Sequence, residues 1–381
     1  MKILYGVVGE GMGHATRSCV VLEHLLRLGH DLRVVVSGRA HGFLQERFFF
    51  DHPNIAIEEI HGLTLSYEGN AVDKSESFWD NLEKAPAGLL KNLSAYQKIA
   101  EDGFSPDLVI SDFESWAYFY GLHHELPVIS IDNMQVINRC QHDDDILAQW
   151  DYQIAKAAVK FKLPGAYHYL VTSFFFPPVR KERTTLVPPI LRPEILAAKR
   201  EPSDHVLVYQ TSSANEKLLP TLKTLPYQFR VYGMGKEGIE GNITLCAFSE
   251  TGFVDDLRTA RGVVAGGGFS LMSEAVHLHV PMLSIPLKKQ FEQELNARYL
   301  AKLGYGAWTE NLDAEKIVAF LENTDSHAQA LQSYPSHDNS MLLTCVEELV
   351  RDVDLDEPRP IRLESKAMGK FWGPPLPEEI L

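Results

Sequence analysis

The sequence predicts an α/β protein built from two doubly wound domains that face each other across a cleft. Three observations lead to this fold class. Short apolar runs alternate with amphipathic helical stretches in two successive series. A proline-rich stretch separates the two series, and each series contains a glycine turn between a strand and a helix. Because ligands of such sheets bind beyond the carboxyl ends of the strands, a site is expected between the domains.

The first series predicts a parallel sheet covered by helices on both faces. Its apolar runs are too short for helices, and the stretches between them have helical periodicity. Strands are expected at 2–8, 32–37, 55–60, 107–111, 127–131 and 168–172. Helices are expected at 15–28, 75–102, 114–124 and 144–160.

Six prolines then interrupt the pattern, as is typical of a connection between domains. They are Pro177, Pro178, Pro188, Pro189, Pro193 and Pro202. The second series has expected strands at 205–210, 229–232, 243–246, 262–265 and 281–285. The predicted division is a first domain over 1–188, a linker over 189–203, a second domain over 204–354 and a tail over 355–381. Phe371 and Trp372 in the tail indicate that it packs back on the first domain.

Composition excludes several classes of function. The chain has 381 residues and a formal net charge of -15, which argues against a broad nucleic-acid-binding surface. Its 4 cysteines are far apart and lack metal or redox spacing, so a reduced cytoplasmic setting fits them. The N-terminus lacks the apolar region of a signal peptide, and no run is long enough to cross a bilayer. We expect a cytoplasmic protein without a nucleic-acid partner.

The first glycine turn contains Gly9, Gly11 and Gly13 and is followed by His14. A dinucleotide fingerprint needs a third glycine where His14 stands, and the second strand ends without the acidic residue that would bind a ribose. An NAD site is therefore disfavoured. A histidine at a helix start, beside glycines that let a substrate approach, is a candidate general base. The alternative is that His14 only caps or packs locally.

The second glycine turn, Gly266 to Gly268, is the more informative one. Consecutive glycines cost conformational entropy, which favours a backbone that must approach a ligand over a simple tight turn. The turn aims N–H groups and the positive end of a helix dipole at one point, which suits a phosphate. Glu274, Glu292 and Gln293 can satisfy hydroxyls beside that point, although each could equally be a solvated residue near a helix start. A diphosphate with several hydroxyls indicates a nucleotide sugar.

Two more segments extend this pattern. The sequence GFVDDL contains Phe253 and Val254, which are ordinary core residues or flank a base. P-x-L-x-x-P and E-Q-x-x-N-A follow the second turn. In this order, the motifs resemble the nucleotide-sugar glycosyltransferases of the GT-B fold, which has two Rossmann-like domains. The subgroup includes the lipid II-forming N-acetylglucosaminyltransferase and the UDP-glucuronosyl- and UDP-glucosyltransferases. The likeness is specific in Gly6 to Arg17 and in Gly252 to Gly306.

The resemblance implies roles for single residues. His14 would be the base at the acceptor hydroxyl or lie at the sugar, with Gly11, Gly13 and Arg17 in the acceptor-side loop. Other residues would hold the nucleotide and diphosphate: Phe253, Val254, Gly267, Gly268, Phe269, Ser270, Glu274 and Ser212. Glu292 and Gln293 would contact the donor sugar. The turn at Ser212 lacks the family's usual glycine, and Ala265 stands in place of its usual histidine.

The expected chemistry is a metal-independent transfer from a nucleoside-diphosphate sugar, UDP first, to an acceptor hydroxyl, with no cofactor. The resemblance implies that the transfer inverts the anomeric carbon. The acidic run of Asp143, Asp144 and Asp145 more plausibly starts a helix than binds a metal. A UDP-sugar hydrolase, a 2-epimerase and a non-catalytic nucleotide-sugar-binding protein remain open on the same fold.

The acceptor is the least determined partner, either a lipid-linked compound or a small metabolite. In the lipid II-forming relatives, an apolar surface with basic residues in the first domain meets the membrane. Phe48, Phe49 and Phe50, with Arg39 and Arg47 nearby, could make such a peripheral contact at the inner membrane face. Packing of these phenylalanines on the sheet is the alternative.

Overall fold

The computed structural model describes residues 1–9, 11–48, 52–62, 66–68, 71–147, 151–210, 217–247, 249–288 and 290–353, with side chains except for 66–68, 71–86 and 151. Within these residues, two seven-stranded sheets form, one in each half of the chain. No helix in the described ranges is both long and apolar enough to cross a membrane.

The first sheet has the strand order β3-β2-β1-β6-β7-β8-β9, and every neighbouring pair is parallel. A separate antiparallel pair, β4 and β5, follows β3. The strands are β1 (Lys2–Val7), β2 (Asp31–Ser37), β3 (Ile55–Ile60), β4 (Ser66–Glu68), β5 (Ala71–Asp73), β6 (Leu108–Asp112), β7 (Val128–Asp132), β8 (His168–Thr172) and β9 (Thr184–Val187). All five residues in each of β6, β7 and β8 are buried, as expected for the middle of a parallel sheet that is covered on both faces.

Helices cover both faces of the first sheet. The helices of this part of the chain are α1 (Met12–Arg27), α2 (Arg39–Phe48), α3 (Lys74–Glu101), α4 (Ser115–His123), α5 (Val136–Arg139), α6 (Asp144–Leu147) and α7 (Asp151–Lys162), and α8 (Pro193–Ala197) follows β9 in the linker. Side chains of α3, α4 and α7 share one core with Leu4 and Val109. Side chains of α1 and α2 share another core with Ile3 and Ile110, on the opposite face.

The second sheet has the order β12-β13-β11-β10-β14-β15-β16, with an antiparallel edge strand β12. Its strands are β10 (His205–Tyr209), β11 (Gln228–Tyr232), β12 (Gly238–Glu240), β13 (Ile243–Leu245), β14 (Gly262–Ala265), β15 (Met282–Ser284) and β16 (Gly306–Trp308). Its helices are α9 (Leu218–Lys223), α10 (Glu250–Thr259), α11 (Phe269–His277), α12 (Phe291–Lys302), α13 (Ala314–Glu322) and α14 (Thr324–Leu331), and α15 (Ser340–Asp352) follows them.

The final helix crosses back to the first domain. Met341, Cys345 and Leu349 on α15 are buried in the core that contains Ile3 and Leu22. The sequence-based division assigned 204–354 to the second domain, whereas this helix packs on the first. The predicted tail, 355–381, lies outside the described residues.

Aromatic side chains join the domains along the rest of their interface. Phe175 stacks on Tyr299 with ring centroids 3.8 Å apart, and Phe174 stacks on Phe269 at 6.2 Å. The Tyr299 hydroxyl also lies 2.8 Å from Nδ1 of the buried His142. Because these aromatic residues are buried in one cluster, the domains share a continuous core.

Candidate active site

The two glycine turns lie side by side where the two domains meet. Helix α1 begins after β1 with Gly11 as its N-cap, and α11 begins after β14 with Gly268 as its N-cap. Neither glycine has a side chain that could accept from the first N–H groups of its helix. A Cβ placed on Gly13 would collide with Oγ of Ser270, so the absence of a side chain lets α1 approach α11. The two positive helix ends therefore lie side by side.

His14 lies in the first turn of α1 and is bound by a carboxylate on the neighbouring strand. Its Nδ1 is 2.8 Å from Oδ1 of Asp112, the last residue of β6. The same Nδ1 lies 2.7 Å from Nη2 of Arg17, which can only donate. In the tautomer that carries the proton on Nδ1, the ring donates to Asp112 and Nε2 is left as a proton acceptor. Burial and the adjacent Arg17 lower the pKa of His14 more than Asp112 raises it. His14 is therefore neutral at physiological pH, the state that a general base needs.

Asp112 is fixed by several donors besides His14. Arg17 donates from Nε to Oδ2 at 2.9 Å and from Nη2 to Oδ1, and Ser18 donates to Oδ2 at 3.0 Å. Burial raises the pKa of Asp112, but Arg17 and His14 outweigh burial and hold this pKa well below its usual range. The carboxylate stays ionised and orients the imidazole.

Sequence reasoning named His14 and Arg17 but missed Asp112. The available signal was that Asp112 directly follows the strand predicted at 107–111. The structure places this strand one residue later, so that Asp112 is its last residue. What could not be read from the chain was that β6 lies next to β1, with Asp112 in register with Val7. The same argument applies to Asn133, which follows β7 and accepts from Nη1 of Arg17 at 2.8 Å.

Glu292 connects this network to the second domain. Its Oε1 accepts from the side-chain amides of Asn133, at 2.9 Å, and of Asn296, at 2.6 Å. Burial raises the pKa of Glu292 to about 7. The predicted sugar-contacting carboxylate thus lies at the domain junction, within one hydrogen-bond chain of Arg17 and Asp112.

The second glycine turn is partly filled by Gln293. Its Oε1 accepts from the backbone N–H of Gly267 at 3.1 Å and of Leu287 at 3.0 Å. A Cβ on Gly267 would collide with the backbone of Gln293, whereas a Cβ on Gly268 would meet open space. Position 267 therefore requires a glycine because helix α12 packs against it, whereas Gly268 lies on the open side of the turn.

Glu274 lies on α11 and forms a two-pronged ion pair with a linker arginine. Arg192 donates from Nε to Oε1 at 2.8 Å and from Nη2 to Oε2 at 2.9 Å. Burial raises the pKa of Glu274, and Arg192 opposes that rise. A ribose that binds Glu274 must share the carboxylate with Arg192 or displace it, a constraint that the sequence did not reveal.

Phe253 and Val254 lie on α10 and are both buried. Phe253 packs edge-on against Tyr209 and Tyr232, with centroids 5.7 and 5.1 Å away. Val254 instead lines an open cavity of about 230 Å³ between α8 and α10. Only Val254 of this pair therefore borders space beside the linker.

Other predicted residues are placed as follows. Phe269, the first residue of α11, is buried against Phe174 at the domain junction. Ser212 lies outside the described residues. Asp143 and Asp145 lie within ion-pair distance of Lys302, and no cluster of metal-binding side chains occurs in the described ranges. Phe48 is buried in the first-domain core, while Phe49 and Phe50 lie outside the described residues.

Comparisons with known proteins agree with this architecture. An "uncharacterized glycosyltransferase" of Methanosarcina mazei is 25% identical and covers 80% of this chain and 85% of the relative. The spinosyn rhamnosyltransferase SpnG, solved with thymidine diphosphate, has a TM-score of 0.59 at 15% identity over 91% of this chain and 100% of its own. MurG of Acinetobacter baumannii has a TM-score of 0.56 at 15% identity over 92% and 99%.

At these identities the solved structures show the fold alone, and that fold is GT-B, as predicted. The family model described as "Glycosyl transferase family 1" matches residues 1–324. A match of that extent covers both sheets and both glycine turns. The chain therefore belongs to glycosyl transferase family 1 and is a transferase enzyme.

Proposed function

We propose that this glycosyltransferase moves a sugar from a nucleoside-diphosphate sugar, a UDP-sugar first, to an acceptor hydroxyl with inversion and without a metal ion. One observation carries the proposal. The Asp112-bound imidazole of His14 and the open turn at Gly268 belong to two neighbouring helix starts, since Gly13 of α1 closely approaches Ser270 of α11. A base and a diphosphate site next to each other are what direct displacement at an anomeric carbon requires.

The proposed reaction begins at the acceptor. Nε2 of His14 accepts the proton of the acceptor hydroxyl as its oxygen forms a bond to the anomeric carbon. The imidazolium that results is stabilised by Asp112. The bond from the anomeric carbon to the donor phosphate oxygen breaks, and its electron pair leaves on the nucleoside diphosphate. N–H groups at the start of α11 and the helix dipole stabilise that negative charge.

Glu292 would hold a sugar hydroxyl. It is either an acceptor or, near its pKa of about 7, a donor. Glu274 would bind the ribose after rearrangement of Arg192. Val254 would lie beside the base, at the cavity next to α8. The acceptor stays open between a lipid-linked compound and a small metabolite. We place the reaction in a reducing compartment, since Cys19, Cys140, Cys246 and Cys345 are free.

A binding experiment tests the donor. The melting midpoint of the protein is measured with UDP, dTDP, GDP and ADP and with their sugars, because a ligand of the native state raises stability by mass action. We expect a rise with a uridine or deoxythymidine nucleotide; SpnG, for comparison, was solved with thymidine diphosphate. If none of these compounds raises the midpoint, the donor assignment fails.

Replacement of the base tests the chemistry. His14→Ala should lower turnover by about 100- to 10,000-fold while donor binding survives. His52→Ala, at an exposed position, is the matched control and should keep full activity. A non-catalytic nucleotide-sugar-binding protein would bind its ligand equally well in both variants. Release of free sugar from the donor without any acceptor would identify a hydrolase, and exchange at C2 would identify an epimerase.

A further inference from the structure

A chain of hydrogen bonds leads from the imidazole of His14 across the domain junction. It begins at Asp112, which binds His14 and accepts from Nε of Arg17 at 2.9 Å. Nη1 of Arg17 donates to Oδ1 of Asn133 at 2.8 Å. Nδ2 of Asn133 then donates to Oε1 of Glu292 at 2.9 Å, which carries the chain from the first domain into the second.

The chain continues in the second domain through Asn296. Its Nδ2 donates to Oε1 of Glu292 at 2.6 Å and to the carbonyl of Gly267 at 3.0 Å. Because Gly267 belongs to the second glycine turn, one continuous path of hydrogen bonds joins the proposed base to the proposed diphosphate site. We call four residues of this path the bridge: Arg17, Asn133, Glu292 and Asn296.

The position in the bridge with the strictest chemical requirement is that of Asn133. A guanidinium can only donate and an ionised carboxylate can only accept, so the group between Arg17 and Glu292 must accept on one side and donate on the other. A side-chain amide does both, and its two partners fix which way it points. Aspartate at position 133 could not donate to Glu292, and alanine could bind neither neighbour.

Three bridge residues are closely packed, and the fourth is open to a ligand. Arg17 is 5% exposed, Asn133 4% and Asn296 1%, whereas Glu292 is partly exposed. Since both amides bond to Oε1 of Glu292, a sugar hydroxyl can donate to Oε2 while the bridge stays intact. Such a donor favours the ionised carboxylate, which is the stronger acceptor for Asn133.

The charge of Glu292 reaches His14 by way of Arg17. Among the described residues, Arg17 is the charged group that opposes the raised pKa of Glu292, and Asp112 and Asp132, at the ends of β6 and β7, act on Arg17. The pKa of His14 depends on burial first, and then on Arg17 and Asp112. Because a guanidinium is planar, a change at Nη1 also moves Nε and Nη2, which hold Asp112.

We propose that Asn133 is a positioning residue that couples the base to the donor site. It transmits the ionisation state of the Glu292 carboxyl to Arg17. Arg17 in turn orients Asp112 and, through it, the imidazole of His14. The use of this coupling rests on the proposed function: a donor sugar at Glu292 strengthens the bridge and orients His14 for the acceptor hydroxyl. Asn133 itself needs no contact with the donor or the acceptor.

Nuclear magnetic resonance of the full chain with isotope-labelled histidine tests the coupling without an acceptor. The ring signals of His14 are assigned with His14→Ala and followed from about pH 5 to 9. In the wild type we expect an inflection near pH 7, where Glu292 titrates, besides the titration of His14 itself at lower pH. Glu292→Gln and Asn133→Ala should each remove this inflection. Asn133→Asp keeps the shape of the side chain and the bond to Arg17 but cannot donate to Glu292, so it should remove the inflection as well.

Asn339→Ala is the matched control. Asn339 is 8% exposed and also bonds across the domain junction, to the backbone of Leu191, but it is no part of the bridge. This variant should keep the inflection. Asn296→Ala should keep it too and raise its pH by about one unit, since the hydrogen bond from Asn296 lowers the pKa of Glu292. Melting midpoints identify a variant that fails to fold, and the isosteric Asn133→Asp decides the case if Asn133→Ala does so.

A second arm of the experiment separates the coupling from the proposed function. UDP-glucose, UDP-galactose and UDP-N-acetylglucosamine are added, with UDP alone as the reference. A sugar at Glu292 should move the inflection below pH 7, whereas UDP alone should leave it in place. A bound UDP-sugar that leaves it in place would refute the link to the donor. If no UDP-sugar raises the melting midpoint, the donor assignment fails, while the pH titration still decides the coupling.

Three outcomes of the titration would overturn the coupling. One is a wild-type protein without an inflection near pH 7. Another is an inflection that persists in Asn133→Ala and Asn133→Asp, which would show that the charge of Glu292 acts on His14 directly through space. The third is an inflection that survives Glu292→Gln. That result would assign it to another group such as Asp132, whose pKa burial raises to about 6.

Discussion

Asp112 offers the sharpest test of the first-domain network. Asp112→Asn removes the charge that Arg17 faces, and Arg17 is only 5% exposed. The side-chain oxygen of the asparagine can still accept a hydrogen bond. Its NH2 group is a donor, however, and faces the N–H donors of Arg17. Breaking a buried ion pair at one partner costs about 3–5 kcal/mol, and we expect about 3 kcal/mol here because one acceptor remains.

Chemical denaturation at pH 7 measures this effect, with Asp102→Asn as the matched control. Asp102 also pairs with an arginine, Arg33, at 2.8 Å, but its side chain is 51% exposed, so its loss should cost at most about 1 kcal/mol. Because the pKa of Asp112 is depressed, its stabilisation is present above the ordinary carboxyl range and is lost as the pH falls below it. An Asp112→Asn variant no less stable than Asp102→Asn at pH 7 would refute the reasoning.

Three further predictions concern the second domain. The pKa of Glu292 is raised from 4.5 to about 7 in the folded protein. Its contribution to the free energy of unfolding is therefore fully present below about pH 4.5 and is lost as the pH rises through 7. Glu292→Gln should therefore match the wild type at pH 4.5 and exceed its free energy of unfolding by about 1–3 kcal/mol at pH 8; equal stability at pH 8 would contradict this. Gly267→Ala should lower stability by about 2 kcal/mol because its Cβ meets the Gln293 backbone, whereas Gly268→Ala should fold normally and weaken nucleoside-diphosphate binding in calorimetry; the reverse pattern would exchange their roles. Gln293→Ala should weaken binding of UDP itself, since Gln293 holds the turn. If only the sugar-bearing nucleotide binds more weakly, Gln293 is a sugar contact instead.

Regular elements of the fold were predictable because apolar periodicity reports burial directly. The strand expected at 168–172 is β8, and the stretch at 75–102 is α3 within one residue at each end. The helix expected at 144–160 corresponds to α6 and α7, and residues 148–150 between them lie outside the described residues. Strand β9 was missed inside the proline-rich stretch because prolines flank it and none interrupts its hydrogen bonds.

The candidate site was predictable only where local sequence determines it. Glycine turns that open helices at Gly11 and Gly268 have a local signature, and both were found. The Asp112 contact to His14 depends on which strands are neighbours. The ion pair between Arg192 and Glu274 depends on the path of the linker. These are tertiary facts without a local pattern.

The return of α15 to the first domain has a consequence for any motion between the domains. Within the described residues, two places where the chain passes between the domains touch each other, since the side chain of Asn339 bonds both the N–H and the C=O of Leu191, at 2.9 and 2.6 Å. These bonds would constrain any motion of one domain relative to the other. A protein shortened to end before Ser340 would lose the helix that covers part of the first-domain core, while its second domain would stay nearly intact.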